Sequence, residues 1–331
     1  MNNARTIALP EKISPSFQKL IDEAHENDKA ALRREVCFSV EENNIADFEH
    51  EDPLGEKNYR VNDFCVHQYP NRVLLLTTGK CLSYCRYCFR REFTARERGF
   101  LSAAELSQTL DYVIAHPHIN EILLSGGDPL SASFETLEKT LRAIRQACPD
   151  ILIRICSRAP IFAPELFNKK LIALFHSCKP LWIIPHINHP AELGAAQRRA
   201  ITACIDHGIS MQSQTVLLRG INDSADILAK LFRNLIVLGV KPGYLFQLDT
   251  ARGTAHFAVP LQRALEIWSE LLEKVSGLSR PEFAVDLENG GGKFSLSALA
   301  AKDRIIHVTE TGFTVRKKDG SIYCYKDQYL Q

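Results

Sequence analysis

The sequence predicts an α/β fold of six consecutive strand–helix units, arranged as an open or partial barrel. Three observations carry this. Short apolar, β-rich runs recur along the chain, from the second onward about every thirty residues, the length of a βα unit with short loops. Helical patterns fill the intervals. Polar and charged clusters follow each run, where the C-terminal ends of the strands would gather a ligand. A doubly wound sheet has the same local signature, and periodicity alone does not separate the two.

Residues 1–70 read as a helical covering segment. Ile13, Phe17, Leu20 and Ile21 have helical spacing, and residues 47–62, with Pro53 and Gly55, read as a linker or covering loop. The barrel is expected over 71–277. Its strands are the runs at 73–77, 121–125, 151–156, 182–185, 211–216 and 244–248, apolar throughout, as in a parallel sheet buried on both faces. Ser102 and Glu105 form a capping-box pair ahead of Leu106, Leu110 and Val113. Further helices are expected at 134–147, 164–177, 191–206, 225–238 and 261–275. Residues 278–331 form a C-terminal segment with strands at 304–309, 313–317 and 322–325 and a hairpin turn at Asp319-Gly320.

Composition narrows the function. The 331 residues make one large domain or two ordinary ones, and 45% apolar with 24% charged residues is the balance of a soluble globular protein. Forty basic and thirty-nine acidic residues leave a net charge of +1, so no global field draws nucleic acid or an anionic membrane. No stretch approaches the roughly 18 apolar residues of a membrane span, and no apolar signal-peptide core opens the chain. The expected compartment is the reducing cytoplasm, where clustered thiols read as metal or redox sites.

Cys81, Cys85 and Cys88 form such a cluster, Cys-x3-Cys-x2-Cys, in one loop after the first strand. Structural thiols fit poorly in so polar a loop, and a disulfide would leave one thiol over. Zinc wants four ligands, usually in two paired knuckles, and no second pair is evident. Three thiolates can instead hold three irons of a 4Fe-4S cluster, leaving the fourth iron open to a chelator. Cys37, Cys65, Cys148, Cys156, Cys178 and Cys204 are dispersed and read as core or surface thiols.

The run Cys81-Leu82-Ser83-Tyr84-Cys85-Arg86-Tyr87-Cys88 resembles the signature of the radical S-adenosylmethionine (SAM) superfamily, whose fold is a partial barrel of six βα units. The resemblance implies that SAM chelates the open iron. An electron from a reducing donor then releases a 5′-deoxyadenosyl radical. Ser125-Gly126-Gly127-Asp128-Pro129 resembles the glycine-rich motif that lets backbone approach SAM, and His186 falls in the same SAM region.

The likeness continues through Cys88-Phe89-Arg90-Arg91, through His186-Ile187-Asn188-His189-Pro190, through residues 214–223 and through Gly290-Gly291-Gly292-Lys293. Ile13-Ser14-Pro15 and Asp52-Pro53-Leu54 fit as well. Together these look like the lysine 2,3-aminomutase family. Members interconvert L-α-lysine and β-lysine with SAM and pyridoxal phosphate, an isomerase reaction that moves an amino group between neighbouring carbons. By that resemblance Lys293 binds pyridoxal phosphate as an imine, with Arg72 near its phosphate. Arg90 clamps the substrate carboxylate, and Asp249 and Asp286 read the ε-ammonium. Aminomutases of arginine or glutamate are the alternatives, and a glutamate enzyme would need a cation or amide in place of those aspartates.

The chain also resembles the short branch that makes β-lysine for elongation factor P, yet it keeps the second aspartate and the full glycine run. Its tail holds only Cys324, so no structural zinc is expected. L-lysine and an electron donor are the implied partners. The family tends to form homo-oligomers.

Overall fold

A computed structural model describes residues 9–297, 299, 305–309, 312–316 and 320–326. Nine strands form one sheet in the order of the chain. They are β1 (Cys65–Tyr69), β2 (Arg72–Thr78), β3 (Glu121–Gly126), β4 (Leu152–Ser157), β5 (Leu181–Pro185), β6 (Ser210–Val216), β7 (Lys241–Phe246), β8 (Glu282–Leu287) and β9 (Gly292–Ser295). From β2 to β8 every neighbouring pair is parallel. The edges β1 and β9 are antiparallel to their neighbours. The six expected strands are β2 to β7. The sequence reading missed β1, which continues into β2 through a tight hairpin, β8, whose charged ends mask a short apolar centre, and β9, which pairs with β8.

The sheet is curved into a barrel. One cavity of about 430 Å³ is lined by residues of all nine strands, which a flat doubly wound sheet cannot arrange. The two edges meet through side chains. Gln68 on β1 donates to the Gly290 carbonyl at 3.3 Å, and the Tyr69 hydroxyl accepts from the Lys293 N–H at 3.2 Å.

Residues two apart on a strand face the same side. On β4, Arg154 and Cys156 line the cavity while Ile153 and Ile155 are fully buried outside it. On β6, Gln214 and Val216 line it likewise. The strands are therefore not apolar throughout: the barrel lumen holds polar side chains.

The helices are α1 (Pro15–Glu23), α2 (Glu26–Val36), α3 (Arg91–Thr94), α4 (Ala103–Ala115), α5 (Phe134–Ala147), α6 (Ala159–Phe162), α7 (Lys169–Ser177), α8 (Ala195–Asp206), α9 (Ala225–Val237) and α10 (Leu261–Lys274). The capping box of α4 is formed, with Ser102 and Glu105 each bonding the other's backbone N–H. The helices expected from 164 and 191 begin later, at Lys169 and Ala195. The proline-led stretches before them fold as the separate short turns Pro164–Leu166 and Pro190–Glu192.

The N-terminal segment belongs to the same core. Phe17 and Ile21 of α1 and Leu32 and Val36 of α2 are buried in it, with Phe17 edge-on to Phe162 at 5.0 Å. Beyond α2, the Glu42 carboxylate accepts from Arg86 at 2.8 and 2.7 Å and from Arg91 at 2.6 Å. Glu49 accepts the backbone N–H groups of Gly253, Thr254 and Ala255. The segment thus ties the cysteine loop to the loop after β7.

A separate three-stranded antiparallel sheet is formed by β10 (Ile305–Thr309), β11 (Gly312–Arg316) and β12 (Ile322–Lys326). Asp319 of the anticipated turn lies outside the described residues.

Glu42 solvates two buried guanidinium groups at once. Its replacement by glutamine leaves both guanidinium charges without a carboxylate, so Glu42→Gln should lower the unfolding free energy by about 3–5 kcal/mol. Denaturant titration checks this. A loss below about 1 kcal/mol would mean that water already solvates these arginines.

Candidate active site

The cysteine loop leaves β2 and is pinned by the residues after β3. Gly127 N–H donates to the Thr78 carbonyl at 2.6 Å, and Asp128 N–H donates to the Lys80 carbonyl at 2.9 Å. A Cβ on Gly127 would lie 2.2 Å from the Lys80 oxygen. The space opposite this glycine is thus filled by the backbone of the cysteine loop, where the sequence reading gave it to a ligand. Ser125, Gly126 and Gly127 still line the cavity. Asp128 is saturated by protein: its carboxylate accepts from the Ser157 hydroxyl at 2.7 Å, Arg158 N–H at 2.9 Å and Leu130 N–H at 2.9 Å. It braces the end of β3 against the end of β4.

Cys81, Cys85 and Cys88 are free thiols, and all three line the cavity. Burial pushes the Cys81 thiol up, and Cys88, Asp128 and Cys85 push it further. Burial, with Cys85 adding, raises Cys88 to about 11. Burial raises all three thiols, and together they form an all-sulfur donor set that a strong cationic charge would favour in its ionised form. That chemistry fits an iron–sulfur cluster. Among the described residues no three His, Cys, Asp or Glu side chains converge on a single metal ion. A cluster does not ask for that, because each thiolate takes its own iron.

Arg158, at the end of β4, connects this loop to a buried charge network. One of its terminal nitrogens donates to Cys85 Sγ at 3.0 Å and to the Tyr87 hydroxyl at 2.6 Å. The other reaches Glu35 at 2.9 Å and also Glu192. Burial, with Glu192 beside it, pushes the Glu35 carboxyl up to about 8. The other Glu35 oxygen is buried without a hydrogen-bond partner. His186 lines the cavity next to this network, with Nε2 3.0 Å from Asn188 Oδ1. Burial, then the Arg158 charge, lowers it to about 3, so its imidazole is neutral. The sequence marked Ser157-Arg158 only as a polar cluster and gave Arg158 no role.

On the other side of the barrel, Asp286 of β8 stands directly opposite Lys293 of β9 in the antiparallel register. Their seven-residue separation is thus a cross-strand hairpin pair. Lys293 Nζ lies 3.0 and 3.2 Å from the two Asp286 oxygens and 5.0 Å from the Phe246 ring centroid. Gly290 turns this hairpin at φ +83°, and a Cβ there would lie 2.3 Å from the Tyr59 ring. Asp249, after β7, faces the pair. Burial, then the neighbouring Asp286 charge, raises Asp249 to about 7.

Arg90 also lines the cavity. Its Nε donates to Glu56 Oε2 at 3.0 Å, a terminal nitrogen donates to the other Glu56 oxygen, and the second terminal nitrogen donates to Ser125 Oγ at 3.1 Å. Neither Glu56 nor this pairing was found in the sequence, where Glu56 sat in a polar loop without a pattern. Arg72 lies at the N-terminal end of β2, stacked 3.8 Å over the Tyr69 ring. Arg154 was also missed, although a lone arginine within an apolar strand is a signal for the lumen. It pairs with Glu121 at 2.9 Å, and its buried Nε has no partner. Lys293, Arg72 and Arg154 thus place cationic groups in the same cavity, one with a donor unspent, and this set fits an aldehyde cofactor carrying a phosphate.

A curved parallel barrel with three thiols on the loop after its first parallel strand defines a radical SAM protein. The model of the Radical SAM superfamily matches residues 75–232. A relative from Treponema pallidum (strain Nichols), provisionally named L-lysine 2,3-aminomutase, is 51% identical over 96% of this chain and 90% of its own. The L-lysine 2,3-aminomutase of Escherichia coli (strain K12) is 38% identical over 87% of this chain and 82% of its own. The solved structure of native anSMEcpe with bound AdoMet covers 60% of this chain and 58% of its own, at 14% identity and a TM-score of 0.47. The chain belongs to the L-lysine 2,3-aminomutase family.

The close approach at Gly127 leads to a direct check. Gly127→Ala must displace the Lys80–Cys81 backbone. Iron bound after anaerobic reconstitution should fall to less than about half of the parent value, with far-UV circular dichroism unchanged. Full iron content would show that the loop position does not depend on this contact.

Proposed function

We propose that this protein interconverts L-α-lysine and β-lysine, an isomerase reaction dependent on SAM and pyridoxal phosphate. One observation carries the choice of substrate: two carboxylates, Asp249 and Asp286, stand together at Lys293 in a cavity that also holds the buried cation Arg90. Such a cavity suits a molecule with a carboxylate at one end and a cation at the other. A glutamate side chain would meet two acidic groups there, with Lys293 committed to the cofactor. A guanidinium could be held by the same two carboxylates, so arginine is a contrast to test.

Each residue then has a task. Cys81, Cys85 and Cys88 hold the 4Fe-4S cluster, with SAM against the rim formed by Ser125, Gly126, Gly127 and His186. Asp128 supports that rim from behind, since its oxygens are already bonded. Lys293 holds pyridoxal phosphate, and Arg72 and Arg154 face its phosphate. When bound, the cluster with SAM supplies a radical able to take hydrogen from an unactivated carbon. Pyridoxal phosphate would supply unsaturation next to the amino nitrogen, which eases its transfer between neighbouring carbons. Arg90 orients the substrate carboxylate. Lys293 is the present partner of Asp286, and once its nitrogen is bonded to the cofactor that carboxylate is free for the substrate ammonium. The stacked rings of Tyr244 and Phe246, 5.0 Å apart, wall the cavity against water.

Two outcomes follow. Lys293→Ala should lower β-lysine formation at least roughly a thousandfold while 5′-deoxyadenosine production from SAM continues. Equal loss of both products would put Lys293 in the wrong half of the site. The second concerns pH. Lysine keeps its ε-ammonium well above neutrality, whereas Asp249 in the free protein binds a proton below about 7. Binding the ammonium requires that proton to leave. The dissociation constant for L-lysine should therefore fall by roughly tenfold per unit as pH rises toward 7, then level off. A flat profile between pH 6 and 8 would remove Asp249 from the ammonium site.

A further inference from the structure

Arg90 already holds a carboxylate, that of Glu56, and the manner of holding is informative. A guanidinium offers two bidentate edges, one made by Nε with one terminal nitrogen and one made by the two terminal nitrogens. Glu56 takes the first edge, with Nε–Oε2 at 3.0 Å. Ser125 Oγ takes one N–H of the remaining terminal nitrogen at 3.1 Å. The ring of Phe89 covers the guanidinium at 4.5 Å from its carbon. Both side chains are nearly buried, at 13% and 14% exposure.

The turn that carries Glu56 is built to stay. Asp52 accepts the N–H groups of Glu56 and Lys57 at 3.0 and 2.9 Å. A Cβ on Gly55 would lie 2.9 Å from the backbone of Asn289 and Gly290. The Tyr59 hydroxyl donates to the Gly290 carbonyl at 3.0 Å. One short turn therefore contacts Arg90 on one side and the glycine hairpin of Lys293 on the other.

We propose that Glu56 is a positioning residue for substrate selection: it holds the Nε edge of Arg90 and so turns the edge made by the two terminal nitrogens toward the substrate carboxylate. This rests on the reading of Arg90 as the carboxylate clamp. Glu56 does not have to leave for substrate to bind, because the two carboxylates use different edges. A guanidinium held in this way loses less rotational freedom on binding, which sharpens selection for a ligand that carries a carboxylate.

The test compares L-lysine with cadaverine, the same diamine chain without the carboxylate. Dissociation constants are measured by calorimetry on the full chain loaded with pyridoxal phosphate, without SAM or reductant. Glu56→Gln should weaken L-lysine by roughly tenfold and change cadaverine by less than about twofold. Tyr59→Phe, which loosens the turn without touching Arg90, should weaken L-lysine by roughly two- to threefold and spare cadaverine.

Equal weakening of both ligands in Glu56→Gln would reduce Glu56 to a general structural contact and overturn the proposal. Tighter L-lysine binding in that variant would also overturn it, because Glu56 would then be a competitor of the substrate. Arg90→Lys separates the underlying reading, since an ammonium cannot replace the bidentate fork. If that change spares L-lysine, or weakens it and cadaverine equally, Arg90 is not the clamp and both claims fall. If it weakens L-lysine alone while Glu56→Gln changes nothing, the clamp stands and the role of Glu56 is refuted.

Discussion

Charges inside a barrel must be paired, because an isolated ion loses far more in leaving water than the fold can return. The arrangement of this protein depends on that constraint. Its lumen holds Arg72, Arg90, Arg154, Lys293, Glu56, Glu121, Asp249 and Asp286. Arg90 sits on Glu56, Arg154 on Glu121 and Lys293 on Asp286. Among the described residues two of these charges are left without an ion pair: Arg72, stacked on the Tyr69 ring, and Asp249, which burial and then the Asp286 charge raise to about 7. The unmatched carboxylate is the one an incoming ammonium would complete. Recognition and folding therefore share one set of electrostatic terms.

The cysteine loop obeys the same logic with backbone as well as charge. Thr78 and Lys80 carbonyls are taken up by Gly127 and Asp128, Arg86 and Arg91 share Glu42, and Cys85 accepts from Arg158. Each contact comes from a different part of the chain. These contacts fix the loop from several sides, as a cluster site needs.

Much of the molecule was legible in the sequence. Six of the seven parallel strands were found because buried parallel strands leave near-continuous apolar runs. The cysteine loop was found because thiols at that spacing have few other uses in a polar loop. Lys293 and Asp286 were named from a resemblance, and the hairpin now supplies the reason for their separation. Glu56, Arg154 and Arg158 escaped because their nearest side-chain ion-pair partners lie 34, 33 and 34 residues away, and only the folded barrel brings them together. Gly127 was recognised but matched to a ligand where it meets the Lys80 carbonyl, and Gly290, named only within a glycine run, meets Tyr59. Sequence patterns report that a Cβ is forbidden; they do not report what forbids it.

The central claim is that the two-aspartate cavity accepts a lysine and moves its amino group. The most direct measurement is product analysis after anaerobic reconstitution with iron, sulfide, pyridoxal phosphate and SAM, followed by reduction with dithionite. L-lysine, L-arginine and L-glutamate are supplied separately, and β-amino acids are quantified by mass spectrometry. The account predicts β-lysine from L-lysine and no β-amino acid from either of the others. A β-amino acid from arginine or glutamate but none from lysine, with the cluster intact and SAM cleaved, would contradict it.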